Sequence, residues 1–426
     1  MTEELPLKID QFKRHTQAVG QSNPWVTPHA LVRALGARAP EFAELRHDLH
    51  RHPELGLVEH RTSQHVANCL TAWGYDVHCG LATTGVVATL RRGSGDKRLG
   101  LRADMDALPI QETSGRPWTS VHDGVMHACG HDGHTAMLLA AARHLAEEGE
   151  FSGTLHLIFQ PAEEYPGGAQ LMVEQGLFDK FPCDAVFAMH NMPGIEQGRL
   201  VFREGAAMAS SDDVTITLHS PGGHAASPHR TPDPIVAASA IVMALQTIVS
   251  RNIDPQQVAI VTVGALQAGN ANNVIPDLAR LEVSVRSLDP TVRDLLEARI
   301  HAIVQGQAES FGVRAVVDYR RDYPVLVNSR IETEFARDVG AELLGEDGIE
   351  RQGPAFTGSE DFAVMLQHRP GSYVLIGNGV GEGHCMLHNA GYDFNDDNLA
   401  VGAAFWVRLT ERFLCKSPKD GDVHDT

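Results

Sequence analysis

The sequence predicts an α/β protein of two folding units: a larger one around a mostly parallel sheet, and a smaller α+β sandwich of the ferredoxin-like kind inserted into it. Short apolar runs ending in polar residues alternate with helix-forming stretches towards both ends of the chain. Between them the pattern changes to period-two alternation. The 426 residues, 43% of them hydrophobic, supply more than one core at ~100–200 residues per domain.

Residues 1–40, interrupted by Pro24, Pro28 and Pro40, hold no long periodic stretch and read as an extension docked on, or trailing from, the body. No role is assigned to them. Residues 41–202 begin the larger unit. Gly85–Leu90 (GVVATL) and Arg98–Arg102 (RLGLR) read as short strands, and Thr135–Glu148, rich in Ala and Leu, as a helix. Thr154–Phe159 and Ala185–Met189 read as buried strands. The sandwich spans 203–322. There Asp213–His219 alternates, Pro234–Ser250 is helical, Val258–Gly264 and Leu278–Leu288 alternate, Pro290–Gln307 is helical and Val313–Tyr319 is a strand. Residues 323–426 return to the larger unit with a helix from Glu332, a strand at Tyr373–Gly377 and a last helix near Asp396–Leu414.

Lys and Arg number 35 against 54 Asp and Glu, a net charge of −19, which argues against a nucleic-acid or anionic-membrane surface. No apolar run is expected to approach the ~18 residues of a membrane span. The N-terminal stretch MTEELPLKIDQFKRH lacks the apolar segment of a secretory signal. Cysteines 69, 79, 129, 183, 385 and 415 follow no framework spacing, so a reduced, cytoplasmic protein is expected. The 23 histidines exceed what a bland acidic globule requires.

Four clusters put metal-ligand residue types at strand ends or in glycine-rich loops. His127–His134 (HACGHDGH) holds three histidines, a cysteine and an aspartate within eight residues, which packing does not explain. Its glycines let the backbone turn sharply, and Cys129 with His131 offers ligands that suit zinc and its transition-metal neighbours. Glu163-Glu164 follows the strand Thr154–Phe159, where open α/β sheets place their ligands. Adjacent residues point apart, so one carboxylate can ligate a metal while the other faces a reacting water. His190-Asn191 ends another strand, a weak signal by itself. In His384–His388 (HCMLH) one histidine, not both, is expected to be a ligand. Together these supply about five ligands, enough for two metals that share a site and activate water. The carboxylate left unligated would be the general base. Nucleophile-elbow, phosphate-loop and H-E-x-x-H templates are absent.

These residues resemble the M20 family of metallopeptidases and amidohydrolases, in the branch of hippurate hydrolases, N-acyl-amino-acid amidohydrolases and plant auxin-conjugate hydrolases. The matching stretches are Leu45–Gly56 (LRHDLHRHPELG), Arg102–Pro109 (RADMDALP), Met126–His134 (MHACGHDGH), Phe159–Glu164 (FQPAEE) and Met189–Pro193 (MHNMP). They continue with Gly222–His229 (GGHAASPH), Asn273–Pro276 (NVIP), Arg286-Ser287, Thr357–Phe362 (TGSEDF), His388 and Asp393–Asp397 (DFNDD). The resemblance implies a di-metal catalytic domain with an inserted lid that also dimerises. It implies Cys129, His131, Glu164, His190 and His388 as ligands of two divalent ions (Zn, Mn, Co or Ni), and Glu163 as general base. Asp104 stands near the metals as a supporting residue, because Arg102 replaces the histidine of the wider family's H-x-D. His224 is implied as the oxyanion donor supplied across a homodimer or higher homo-oligomer formed through the lid, and Asn273 and Arg286 as holding the substrate's amide and carboxylate. Tyr165 stands where the branch often has a small residue, which leaves the pocket shape beside the metals open. The activity implied is hydrolysis of an N-acyl amino acid to a carboxylic acid and a free amino acid. A dipeptidase or carboxypeptidase on the same centre is the alternative within enzymes, and a catalytically silent binding protein the alternative outside them.

Overall fold

The computed structural model describes residues 29–380 and 385–415. The large sheet has eight strands in the spatial order Asp76–Leu81, Gly85–Arg92, Gly153–Gln160, Arg98–Asp104, Ala185–Pro193, Gly371–Gly379, Leu200–Val201 and Ile349–Glu350. The four strands from Gly153–Gln160 to Gly371–Gly379 run parallel to one another. Three of them are buried at every position, as sheets covered on both faces require. Asp76–Leu81 and Gly85–Arg92 add antiparallel on one side, and Leu200–Val201 pairs antiparallel with Gly371–Gly379 on the other. The edge strand Ile349–Glu350 is parallel to Leu200–Val201, so the sheet is mixed with parallel pairings in the majority. The edge strand Asp76–Leu81 escapes a reading of apolar runs because only Leu81 is buried.

Helices Ala39–Arg51, His60–Ala72, His131–Glu147, Arg330–Leu344 and Asn398–Phe413 close one face over a core that includes Phe42, Leu70, Leu138, Phe405 and Trp406. Gly168–Glu174, Leu177–Lys180 and Phe362–His368 cover the other, around Met172, Phe178 and Phe362. The extension is docked where it is described: helix Ala30–Gly36 packs on Asn398–Phe413 and buries Leu35.

A second sheet has four antiparallel strands in the order Ala259–Ala268, Leu278–Ser287, Ser211–His219, Arg314–Tyr323. Numbered along the chain this is the 2-3-1-4 order of the ferredoxin-like sandwich. Helices Pro234–Arg251 and Pro290–Phe311 bury Ile241, Leu245, Leu296 and Ile300 against it in a separate core. Both helices start on an aspartate, Asp233 and Asp289, whose side chain accepts from two backbone N–H groups of the first turn. Pro234–Arg251 corrects one expectation: it is apolar over 18 residues, long enough by composition to cross a membrane. In the fold, Ala237, Ala238, Ile241, Leu245 and Ile248 face the core of the second sheet.

Candidate metal centre

The parallel strands bring their C-terminal ends to one place. Register pairs Asp104 with Gln160, and His190 with Leu375 on the neighbouring strand. Helix His131–Glu147 starts at His131, four residues before its expected start, because Gly130 caps it with φ of 92°. A Cβ at Gly130 would meet Asn191 Nδ2 at 2.3 Å, so conformation and space both require glycine there. Ala162, just before Glu163, and His388 adopt left-handed φ of 53° and 63°. Such backbone is costly for residues with a Cβ and collects at functional sites.

All five expected ligands converge. Cys129 Sγ lies 3.3 Å from His190 Nε2. His190 donates from Nδ1 to the Asn191 carbonyl at 2.6 Å, which leaves the lone pair on Nε2. His131 contacts Asp106 through Nδ1, with the carbonyl at 2.9 Å and Oδ1 at 3.1 Å, and its Nε2 is buried without a partner. Glu164 Oε1 is also buried without a hydrogen bond, although His388 Nε2 is 3.0 Å away. The ligand atoms of Cys129, His131 and His190 lie within 4.8 Å of one another, as do those of Cys129, Glu164 and His388. Orphaned imidazole and carboxylate atoms on His131 and Glu164, beside a cysteine sulfur and in two groups sharing Cys129, fit a metal site. His384 lies outside the described residues.

A carboxylate that the sequence did not single out, Asp106, touches two of these residues. Asp106 holds His131 through Oδ1 and accepts the Glu164 backbone N–H on Oδ2 at 3.0 Å. Asp104 instead accepts from Arg102 at 2.6 Å and bonds His134 Nδ1 at 2.7 Å, and it stands 3.8 Å from His131 Nε2. The Asn191 backbone N–H donates to His134 Nε2, so both nitrogens of His134 are taken and it is no ligand. The second acid of Arg102–Asp106 (RADMD) was the available signal. Asp106→Asn should weaken metal binding about 10- to 100-fold in a competitive chelator titration, as the loss of a ligand-orienting carboxylate does. Unchanged affinity would show that Asp106 does not orient the ligands.

Beside this set lies a buried charge cluster. Arg102 reaches Asp104, Glu360 and Asp361, the last two at 3.0 Å, and Gln160 at 2.8 Å. Tyr373 donates its hydroxyl to Glu360 at 2.8 Å. The sequence carries Glu360 and Asp361 only inside a matching stretch, with no role attached. Glu163 is buried against them, and its backbone carbonyl accepts from the Tyr323 hydroxyl at 2.6 Å. Burial, then Glu360, Glu164 and Asp361, raise the Glu163 carboxyl well above the usual range.

Two of the ligands hold protons at neutral pH in the metal-free protein. Burial, then Glu164 and Glu163, push the Cys129 thiol up. Burial works to lower His131, but Asp104 and Asp106 outweigh it and raise it to about 10. A ligand must be deprotonated to bind, so affinity should rise as pH rises from 6, with about two protons released per protein at neutral pH. Calorimetric titration with a divalent ion in buffers of different ionisation enthalpy reads that number, and a buffer-independent heat would contradict it.

A cleft of about 540 Å³ opens over these residues, with Glu163, Glu164, His190 and His388 in its wall. The second sheet contributes Arg286, which donates to Ser359 Oγ at 3.0 Å and among the described residues pairs with no carboxylate. His224 and Asn273 are not brought into this chain's cleft. His224 is on the ribbon Gly223–His224 and Val274–Ile275 and Asn273 directly precedes its second strand, both exposed, with His224 Nδ1 accepting from the Ala226 N–H at 3.0 Å.

Known proteins share this frame. The model of peptidase family M20/M25/M40 matches residues 100–412. The chain is 44% identical over 374 residues to hippurate hydrolase of Campylobacter jejuni, covering 88% of this chain and 97% of that one. It is 38% identical over 385 residues to N-acetyl-L-cysteine deacetylase of Bacillus subtilis, covering 89% and 90%. A solved structure from Bacillus subtilis, described as a dinuclear metal-binding peptidase of the M20 family, matches with a TM-score of 0.78 at 31% identity over 89% of this chain and 99% of that one. The ligand geometry, the fold and these likenesses along most of the chain agree, and the protein belongs to peptidase family M20/M25/M40.

Proposed function

We propose that the protein is a metal-dependent amidohydrolase that cleaves the amide bond of N-acyl amino acids. One observation carries the reading: a buried glutamate, Glu163, stands beside a complete set of five metal-ligand side chains, in a cleft whose other wall presents Arg286 without a carboxylate partner. The relatives named as a hippurate hydrolase and an N-acetyl-L-cysteine deacetylase support the substrate class.

Two divalent ions, drawn from zinc, manganese, cobalt and nickel, would be held by Cys129, His131, Glu164, His190 and His388, and when bound supply Lewis acidity to the water and the acyl carbonyl. Glu163 takes the proton of the attacking water and returns it to the leaving amine nitrogen. A carboxyl raised by its surroundings suits both halves of that transfer. Arg286 receives the substrate's carboxylate, which its planar fork matches. Asn273 and His224, displaced together from this chain's cleft, serve the amide and the oxyanion of the partner subunit in a homodimer formed through residues 203–322. A monomer by sedimentation would overturn that last assignment. A reduced, cytoplasmic location is part of this reading, from the scattered spacing of the six cysteines.

The reading is tested by amino-acid release from N-acyl amino acids and dipeptides, with metal-reconstituted protein and a chelated control. Chelator-sensitive release from the acylated substrates is expected. Release from dipeptides alone would make the protein a dipeptidase, and no release with metal bound would overturn the amidohydrolase assignment.

A further inference from the structure

Tyr165 directly follows Glu164, lines the cleft and is 71% exposed. Among the described residues its side chain makes no hydrogen bond and no ring contact. The other two tyrosines of the cleft are committed, Tyr323 to the Glu163 carbonyl and Tyr373 to Glu360. Its backbone is held in place: the Tyr165 carbonyl lies so close to Gly56 that a Cβ there would approach it to 2.5 Å. The turn that carries it is closed by the N–H groups of Gly167 and Gly168, which donate to the Ala162 carbonyl at 3.1 and 2.8 Å. An aromatic ring on a fixed turn, exposed beside the residues that would hold the reacting carbonyl and with Arg320 of the cleft near it, is a surface prepared for a ligand. Met192, Met208 and Leu387 line the same cleft and add apolar surface.

Resting on the amidohydrolase reading, we propose that Tyr165 is a specificity-determining residue whose ring stacks on the acyl group and favours flat aromatic acyl groups over acetyl. The reacting carbonyl must sit at the Glu163-Glu164 pair. The amino-acid end is drawn to Arg286 on the second sheet, so the acyl end is left for the wall that the larger unit supplies, and Tyr165 is the next residue in that wall. An acetyl group offers a ring no face to stack on. A benzoyl group does, and an offset or edge-to-face aromatic contact is worth about three- to ten-fold in kcat/KM.

The experiment measures kcat/KM for benzoyl-glycine and acetyl-glycine in the wild-type, Tyr165→Phe and Tyr165→Ala proteins, with bound metal determined for each. Glycine carries no side chain, so the two substrates differ only in the acyl group. The benzoyl-to-acetyl ratio should fall about three- to ten-fold in Tyr165→Ala and be restored in Tyr165→Phe, with metal content equal in all three. A ratio unchanged in Tyr165→Ala overturns the inference and leaves the amidohydrolase reading standing. Loss of both rates together with loss of metal also overturns it, because Tyr165 would then act by supporting Glu164. Wild-type protein that hydrolyses neither acyl-glycine overturns the amidohydrolase reading itself, and the inference with it.

Discussion

Glu163→Gln should lower kcat about 10³-fold, the scale of a lost general base, while metal content stays near that of the wild type. The substitution keeps the size and one oxygen of the side chain and removes only its ability to take and return a proton. The five other donor side chains remain: Cys129 and His190 at 3.3 Å, His131 on Asp106, and Glu164 beside His388. Stability should not fall. Glu163 is buried near Glu360 and Asp361 with its carboxyl raised, and a neutral amide removes a like charge from that cluster. Retention of substantial activity in Glu163→Gln would overturn its role as the base, and loss of metal would make it a ligand.

The second large effect is on stability. Arg102→Met should destabilise the metal-free protein by about 3–5 kcal/mol, because it leaves Asp104, Glu360 and Asp361 buried without their cation. That is a large part of the ~5–15 kcal/mol that holds a domain folded. Met fills most of the volume, so the loss is electrostatic and depends on pH in a stated direction. Burial and Glu360 already raise Asp361 against the pull of Arg102, and removal of the cation raises it further. A carboxyl raised in the folded state destabilises most where it must be ionised. The deficit of the variant should therefore shrink as pH falls through the folded-state value and grow as pH rises. Urea unfolding of both proteins at pH 5 and pH 8 measures it. An equal deficit at both pH values would show that packing, not charge, is what Arg102 supplies.

Much of the centre was legible before any coordinates because its residue types are improbable together. Cys129, His131 and their neighbours crowd into one run, Glu163-Glu164 follows an apolar strand, and His190 ends another. Each of these is a local pattern, and a parallel sheet converts local patterns into one place by aligning the C-terminal ends of its strands. The sandwich order was equally legible, since period-two strands and two long helices follow one another without interruption.

What remained hidden depends on contacts between residues far apart in the chain. Arg102 meets Glu360 across 258 positions and Gln160 meets Asp361 across 201, and no spacing encodes either meeting. Which acid reaches the His131 Nδ1 depends on where a strand ends. Side chains alternate only while the strand continues, and it stops at Asp104, so the next turn decides which acid reaches His131. The helix start at His131 was hidden for a related reason, because glycine is weak in a helix interior but permissive at its cap. The amino-acid sequence thus determined which metal-ligand and acidic side chains stand out and which strand ends carry them, since residue type and short-range periodicity are local properties. Only the tertiary structure decided their supporting partners, the cation that neutralises the buried acids, and the exclusion of His224 and Asn273 from this chain's cleft. Those are matters of distance, and distance between remote residues exists only once the chain has packed.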